Sequence, residues 1–249
     1  TVVDMARLTN RMRPVHPGEV LREDYLVPLG EKLLLGVGKD TTAQGRVGGV
    51  KVSLFDVADA AQPREVSSLR FGPSGLRGLV TDLVGGPAYA YASAFFRSMS
   101  GEAPRAVVIG RDLRDSSPSL AATVAQAAAA NGFAAIECGP LPTPALALEA
   151  TRRGAFAVMV TGSHIPEDRN GLKFYRPEGE ITKADETAIL AALEEGASGE
   201  GQASTPATPE PDAIARYQQR YAAAFAPDIL RGLRIAVYQQ SSVARDLMA

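Results

Sequence analysis

A serine and a histidine follow an apolar run in the stretch VMVTGSHIPEDRNGLKFY (158–175). The hydroxyl of Ser163 is a weak nucleophile that needs a base, a metal ion or prior phosphorylation before it can react. Lys173 could give positive charge to a phosphate or act as a base, and a turn at Asn170-Gly171 would bring it back toward the serine. The other interpretation is an ordinary surface turn with a solvated lysine, and spacing alone leaves both open.

A glycine-rich stretch, FGPSGLRG (71–78), surrounds a single arginine. Gly72, Gly75 and Gly78 permit tight turns. The planar guanidinium of Arg77 is suited to bidentate recognition of phosphate. Glycine-spaced loops are common, so this stretch carries little weight without a neighbouring site.

The stretch GRDLRDSSP (110–118) offers a second place for an anion. Ser116 or Ser117 could cap the helix that follows, and the N-terminus of that helix would attract negative charge. Capping also occurs without any ligand. In that interpretation Asp112 and Arg114 brace the loop.

Alternating strands and helices must position these residues. From about Leu69, helical stretches alternate with strand-length apolar runs at 106–110, 133–138 and 155–160. Buried strands that alternate with helices indicate parallel βαβ units, whose ligands bind beyond the carboxyl ends of the strands. Both GRDLRDSS and TGSHIP begin at such ends, which favours function over a surface turn.

The N-terminal residues follow a different pattern. Residues 1–30 contain a short helical pattern at 20–26 and resemble the start of helix-turn-helix antitoxins. Residues 31–68 resemble part of a β-propeller protein. Their two β-rich runs, Leu33–Val37 and Val50–Val57, predict a hairpin.

The C-terminal third begins with a predicted capped helix in 178–195. Residues 196–212 are rich in Gly, Ser, Thr and Pro, which predicts a linker. Beyond it, residues 213–225 predict a helix, RIAVY (234–238) a strand and SSVARDLMA (241–249) the start of another helix. One βα pair cannot bury its own apolar faces, so we expect the beginning of a second α/β domain that is cut short.

Composition narrows the class of protein. Of the 249 residues, 45% are hydrophobic and 22% are charged, as in soluble globular proteins. The net charge of −2 gives no electrostatic argument for binding nucleic acid or an anionic membrane. Because neither a membrane-length apolar run nor a signal peptide is visible, we expect a cytoplasmic protein. The one cysteine, Cys138, excludes an intrachain disulfide and is expected in the core.

Taken together, the stretches 71–78, 110–118 and 161–175 resemble the α-D-phosphohexomutases, that is, phosphomannomutases and phosphoglucomutases, in their order and spacing. The resemblance covers about residues 69–249. It implies a doubly wound α/β domain with a mixed or parallel sheet over 69–195, here preceded by a hairpin. Residues 213–249 would begin the family's second domain.

The resemblance also implies roles for individual residues. Ser163 would be a phosphoserine that hands its phosphoryl group to a hexose phosphate, with hexose 1,6-bisphosphate as activator. Arg77 and Lys173 would bind phosphate, stabilise the charge in transit or assist proton transfer, and His164 would orient the loop. Ile165 stands where the family usually has Asn, which removes a polar side chain beside the serine.

The family's Mg²⁺ is expected here through the phosphate of Ser163. The Asp-Gly-Asp-x-Asp-Arg metal loop, the sugar-recognition loop and the fourth-domain phosphate loop do not occur in the sequence. The resemblance gives no reason to enlist the nearby Glu167 or Asp168. We therefore expect the half-reaction at most, with mannose or glucose preference undetermined.

Three alternatives stay open. The chain could be a non-catalytic binding or regulatory module, or a chimera of three family fragments. It could also complete its site by association with another polypeptide through residues 213–249, whose apolar faces would lack cover.

Overall fold

The structure is a computed structural model. It describes residues 22–28, 33–41, 47–56, 64–72, 75–84, 86–103, 105–196, 206–237 and 241–247. The strands in these ranges are β1 (Arg22–Pro28), β2 (Leu33–Thr41), β3 (Val47–Asp56), β4 (Arg64–Gly72), β5 (Gly75–Leu79), β6 (Ala106–Arg111), β7 (Ala134–Pro140), β8 (Phe156–Val160), β9 (Arg169–Arg176), β10 (Gly179–Glu180) and β11 (Thr208–Pro209). The helices are α1 (Val80–Leu83), α2 (Gly86–Ser98), α3 (Ser117–Ala130), α4 (Thr143–Arg153), α5 (Lys183–Glu194) and α6 (Ala213–Ala224).

All of these strands belong to one mixed sheet. Its order is β1-β2-β3-β4-β5-β9-β8-β6-β7-β11, with β10 paired to β9. The pairs β8–β6 and β6–β7 are parallel, and α3 and α4 provide the crossovers. The predicted strands at 106–110, 133–138 and 155–160 and their parallel βαβ units are therefore confirmed.

Helices cover both faces of the parallel part, which confirms the doubly wound arrangement. On one face α2, α3 and α5 pack on a core rich in aromatic rings, and the rings of Phe95 and Phe174 lie 4.8 Å apart. On the other face α4 and α6 cover a smaller core that contains Val108 and Met159. Cys138 lies in this second core as expected, and burial raises the pKa of its thiol to about 12.

The antiparallel strands β1 to β5 extend this sheet. The predicted hairpin is confirmed, because β2 pairs with β3 from Leu33 opposite Asp56. The helical pattern predicted at 20–26 is wrong where the structure describes it, since Arg22–Pro28 is strand β1. A strand is favoured there because Tyr25 and Val27 stand in register with apolar residues of β2. Most of the antitoxin-like segment, residues 1–21, lies outside the described residues.

The capped helix predicted in 178–195 is confirmed as α5. Thr182 accepts a hydrogen bond from the Asp185 backbone, and the Asp185 carboxylate accepts one from the Thr182 backbone, which completes a capping box. No helix within the described ranges is long and apolar enough to span a membrane.

The C-terminal part follows the predictions only partly. The predicted helix is confirmed as α6, but within the predicted linker Thr208–Pro209 adds to β7 as a parallel strand. The predicted strand at 234–238 is wrong over its described residues, where no regular structure forms. A strand needs a partner for its backbone groups, and Ile235 is 62% exposed. The last predicted α-helix is a 3₁₀ helix at Val243–Leu247.

Candidate active site

Ser163 lies in the loop after β8, at the carboxyl end of a parallel strand. Its φ of 52° is the only positive value among non-glycine residues in the described ranges. Such a conformation is uncommon for a residue with a side chain and is retained where the surroundings enforce it. The Ser163 hydroxyl is exposed, and its Oγ lies 3.3 Å from Nδ1 of His164. The loop thus presents a hydroxyl to solvent beside an imidazole.

Asp112, the residue directly after β6, fixes the start of this loop through hydrogen bonds to its carboxylate. Its Oδ2 accepts hydrogen bonds from the Thr161 hydroxyl and from the Gly162 backbone, both at 3.0 Å. Its Oδ1 accepts a hydrogen bond from the Ser117 hydroxyl at 2.5 Å. Thr161 Oγ1 in turn accepts a hydrogen bond from the Ser163 backbone N–H at 2.9 Å. The conformation of Ser163 is therefore fixed through one carboxylate.

Arg114 fixes the rest of the loop through hydrogen bonds from its guanidinium. Its guanidinium donates to the carbonyl oxygens of Pro166 at 2.7 Å, Ile165 at 2.7 Å, Arg169 at 3.0 Å and Ser163 at 3.4 Å. These bonds give a fixed shape to a segment without regular secondary structure. Asp112 and Arg114 brace the loop, as one interpretation of 110–118 predicts.

The predicted helix cap at Ser116 or Ser117 is wrong. Ser116 occupies the N-cap position of α3 with helical angles (φ −78°, ψ −17°) and makes no side-chain cap bond. Both serine hydroxyls instead accept hydrogen bonds from the Asn170 amide, at 2.8 Å and 2.9 Å. The hydroxyls are drawn toward the loop because the buried amide of Asn170 needs acceptors.

The predicted turn at Asn170-Gly171 is also wrong, because both residues lie inside β9. The chain reverses earlier, between Val160 and Arg169. Gly171 pairs with Arg77 of β5, and a Cβ on Gly171 would lie 2.5 Å from the carbonyl oxygen of Leu76. Glycine is needed for close approach of two strands rather than for a turn.

A cavity of about 120 Å³ opens beside Ser163. Its lining is Leu76, Arg77, Thr143, Thr161, Ser163, Gly171, Leu172 and Lys173. The structure therefore brings Ser163, Arg77 and Lys173 together, and the sheet explains how. Arg77 pairs with Gly171 across strands, and Lys173 follows two positions later on the same face. His164 is not part of this lining.

Lys173 stays protonated in this arrangement. Its Nζ lies 2.5 Å from Glu180 Oε1 and 5.3 Å from the centre of the Tyr175 ring. Burial, the largest single effect, would lower the pKa of Lys173, but the hydrogen bonds and charge interactions with Glu180 and Tyr175 together outweigh it, so the pKa is raised above its ordinary value. The structure thus supports the cationic interpretation of Lys173 over the basic one.

A second cavity, of about 290 Å³, lies on the other side of Ser163 and Thr161. Asp112 and Glu167 are the carboxylates in its lining, and both oxygens of Asp112 are already engaged. Asp168 lines neither cavity. The described residues contain no cluster of three His, Cys, Asp or Glu side chains able to hold a metal ion. They do not by themselves fit the expected Mg²⁺, which prefers several oxygen ligands.

Comparison with known proteins identifies the family. The model of phosphoglucomutase/phosphomannomutase alpha/beta/alpha domain I matches residues 68–200, more than half of the chain. The chain belongs to the phosphoglucomutase/phosphomannomutase family. The resemblance carried by the stretches 71–78, 110–118 and 161–175 is confirmed.

Relatives in this family support the assignment. The phosphomannomutase of Sinorhizobium fredii is 49% identical over 188 residues, covering 72% of this chain and 40% of the relative. The phosphomannomutase of Salmonella muenchen is 41% identical over 182 residues, covering 73% of this chain and 37% of the relative. The chain therefore spans about two fifths of the length of these relatives.

A solved structure shows that the fold is shared. The crystal structure of a phosphomannomutase candidate from Thermus thermophilus aligns with a TM-score of 0.59 at 25% identity. The alignment covers 67% of this chain and 38% of that chain. The mixed α/β sheet is thus a phosphohexomutase-type fold.

The N-terminal part matches a second family model. A β-propeller domain model matches residues 23–81, which contain the β-propeller-like segment predicted at 31–68. In the structure this match covers β1 to β5, so the strands that resemble a propeller continue directly into the phosphohexomutase sheet.

Sequence reasoning missed the roles of three residues in this candidate site. Thr161 and Asn170 hold the loop, and Thr143 lines the cavity. Thr161 could have been found, since it directly follows a buried strand. Thr143 had a weaker signal, a Pro-Thr-Pro sequence between a strand and a helix. Nothing in the sequence placed Asn170 beneath the serines of another loop.

Proposed function

We propose that Ser163 accepts a phosphoryl group from a hexose bisphosphate and returns it to a hexose monophosphate. One observation carries the proposal, namely the cavity shared by Ser163, Arg77 and Lys173. A nucleophilic hydroxyl between two cations matches a reaction in which charge moves between oxygen atoms of a phosphate. The family membership and the names of the relatives point to the same chemistry.

The transfer exchanges one oxygen–phosphorus bond for another. The Oγ of Ser163 forms a bond to phosphorus, and the bond from that phosphorus to the sugar oxygen breaks. The proton that leaves the serine ends on the sugar oxygen, which gives phosphoserine and a hexose monophosphate. His164, 3.3 Å from Oγ, orients the hydroxyl, and the braced loop holds Ser163 toward the cavity.

Arg77 and Lys173 have different roles in the proposed transfer. Arg77 offers a planar pair of donors to the phosphate oxygens, and no hydrogen bond or ion pair joins its guanidinium to another residue in the described ranges. Lys173 adds a point charge that its contact with Glu180 preserves. Mg²⁺, expected from the family, would supply further charge neutralisation at the phosphate of Ser163, and no step above passes through it.

For this chain we propose the half-reaction, transfer between a hexose bisphosphate and Ser163. The whole family reaction on mannose or glucose phosphates would also need residues that recognise the sugar.

The deciding experiment is the intact mass of the protein before and after incubation with glucose 1,6-bisphosphate and Mg²⁺. The wild-type chain should gain one phosphoryl group, and Ser163→Ala should gain none. Ser119→Ala, which removes an exposed serine hydroxyl at the start of α3, is the matched control and should behave as wild type. Equal labelling of Ser163→Ala and wild type would refute the proposal.

One observation favours the alternative in which association completes the site. Apolar side chains in the segment after α6 are more than half exposed, namely Phe225, Ile229, Leu230, Leu233 and Ile235. Several exposed large apolar side chains in one short segment are a feature of surfaces that contact other proteins. Sedimentation velocity with Leu233→Asp beside wild type tests it, since only the wild type should associate.

A further inference from the structure

Thr143 opens helix α4 and faces the cavity beside Ser163. The other lining residues come from β5, from β9 and from the loop after β8, whereas Thr143 is the only lining residue from a helix in the described ranges. Neither Arg77 and Lys173 nor the loop after β8 that contains Ser163 requires a threonine at position 143. Its role must therefore come from what it presents to the cavity.

The position of Thr143 is fixed by its neighbours. Leu141, two residues earlier, is fully buried, and its N–H donates to the Arg111 carbonyl oxygen at 3.1 Å. Ala145 and Leu146 follow, with 1% and 0% exposure, and anchor the first turn of α4 in the second core. Proline on each side of Thr143 further limits the backbone. The backbone that carries Thr143 is therefore fixed before a ligand binds.

The polar groups of Thr143 are available to a ligand. Its hydroxyl makes no hydrogen bond to any residue in the part of the chain that the structure describes. Its backbone N–H lies in the first turn of the helix, where no intrahelical acceptor exists. Proline at the next position has no N–H, so Thr143 alone offers donors at this point of the cavity wall.

We infer that Thr143 binds the phosphoryl group in the cavity, donating its hydroxyl hydrogen bond to a phosphate oxygen. This inference rests on the proposed function and adds an uncharged donor to the two cations. A phosphoryl group has three terminal oxygens, and Arg77 and Lys173 reach it from the sheet side. Thr143 reaches it from the helix side and takes no part in the bonds that form or break.

Two substitutions separate ligand binding from a structural role. Thr143→Val keeps the shape of the side chain and removes the hydroxyl, while Thr143→Ser keeps the hydroxyl. Thr151→Val is the matched control, because Thr151 lies in the last turn of the same helix and is exposed. Thermal unfolding of each variant reports whether the fold is affected.

The measurements are the dissociation constant of inorganic phosphate by ³¹P NMR and the rate of Ser163 phosphorylation by glucose 1,6-bisphosphate over a range of concentrations. Losing a hydrogen bond to a charged group should weaken phosphate binding roughly tenfold or more in Thr143→Val. Phosphorylation should slow by a similar factor. Thr143→Ser should restore both, and Thr151→Val and the melting temperatures should not change.

The outcomes distinguish this inference from the proposed function. If Thr143→Val binds phosphate and is phosphorylated as wild type is, the inference is wrong and the proposed function stands. If phosphate binding weakens in Thr143→Val but wild type is never phosphorylated, the inference holds and the proposed function fails. If wild type neither binds phosphate nor becomes phosphorylated, both are wrong.

Discussion

Gly162 lies directly against the guanidinium of Arg114, so that a Cβ atom at position 162 would overlap its Cζ and Nε atoms. The same guanidinium donates to three carbonyl oxygens of the loop after β8 and to that of Arg169, the first residue of β9. The glycine before Ser163 therefore leaves room for the side chain that shapes the loop. This contact links the stretches 110–118 and 161–175, which are separate in sequence.

Gly162→Ala should displace Arg114 and loosen the loop. Overpacking of this kind costs about 1–3 kcal/mol of unfolding free energy. The rate of Ser163 phosphorylation should fall by a larger factor than the folding equilibrium constant does. Urea unfolding and the intact-mass assay measure the two effects. Gly101→Ala is the control, since a Cβ there meets nothing within 4 Å. A Gly162→Ala protein with wild-type phosphorylation would show that Arg114 does not shape the reactive loop.

Glu180→Gln should make phosphorylation of Ser163 more sensitive to alkaline pH. Burial lowers the pKa of Lys173, and the interactions with Glu180 and Tyr175 together raise it above its ordinary value. Without the carboxylate the pKa of Lys173 falls, so its charge is lost at a lower pH than in wild type. The rate of phosphorylation measured from neutral to alkaline pH should therefore decline earlier in Glu180→Gln. Glu178→Gln, an exposed neighbour, is the control, and identical profiles for all three proteins would contradict the prediction.

Glu149→Gln should flatten the acid dependence of stability. Glu149 is 3% exposed. Burial raises the pKa of its carboxyl, but hydrogen bonds from Arg152, Arg153 and Arg216 outweigh this and hold it at about 2, below the ordinary 4.5. A lowered pKa stabilises the folded state above pH 4.5, and the contribution is lost as the pH falls toward 2.

The size of that effect follows from the shift. A carboxyl whose pKa is lowered this far contributes on the order of 3 kcal/mol near neutral pH. Urea unfolding between pH 6 and pH 2.5, about the range in which the proton binds, should show a steeper loss in wild type than in Glu149→Gln. Glu194→Gln on α5 serves as control. Parallel curves for wild type and Glu149→Gln would mean that the three arginines do not hold this carboxylate.

Cys138 should be inert to thiol reagents in the folded protein. Burial, followed by the nearby Glu149 and Glu210 carboxylates, raises the pKa of its thiol to about 12, so almost no thiolate exists near neutral pH. Ellman's reagent at pH 8, about half a unit below the pKa of a free thiol, should react only after urea is added. Rapid reaction without urea would show that the second core opens under native conditions.

Several features of the fold could be predicted because they depend on local patterns. Strand-length apolar runs near 106 and 156 are buried on both faces, and such runs become parallel strands once helices separate them. Thr182 and Asp185 form a capping box within one turn, so neighbours in the sequence suffice to begin α5. The positions of Ser163 and Asp112 at strand ends followed from the same alternation.

Other features depended on residues far apart in the chain. Arg22–Pro28 became a strand because β2 offered it a partner in register, although its own periodicity was helical. Ser116 and Ser117 turned away from capping because Asn170, more than 50 positions away, lies buried beneath them. Residues 233–237 formed no strand, since strand formation needs a neighbouring strand as well as apolar side chains.

The sequence by itself determined the chemistry available to this protein: a serine beside a histidine, an arginine among glycines and a lysine ten residues past the serine. It also determined the alternation of strands and helices, because hydrophobic periodicity is a local property. Only the tertiary structure decided which groups meet. Pairing of β5 with β9 set Arg77 beside Lys173, and packing of α4 on the second core brought Thr143 to the same cavity. Such contacts arise when distant segments bury apolar surface against each other, which no single stretch of sequence encodes.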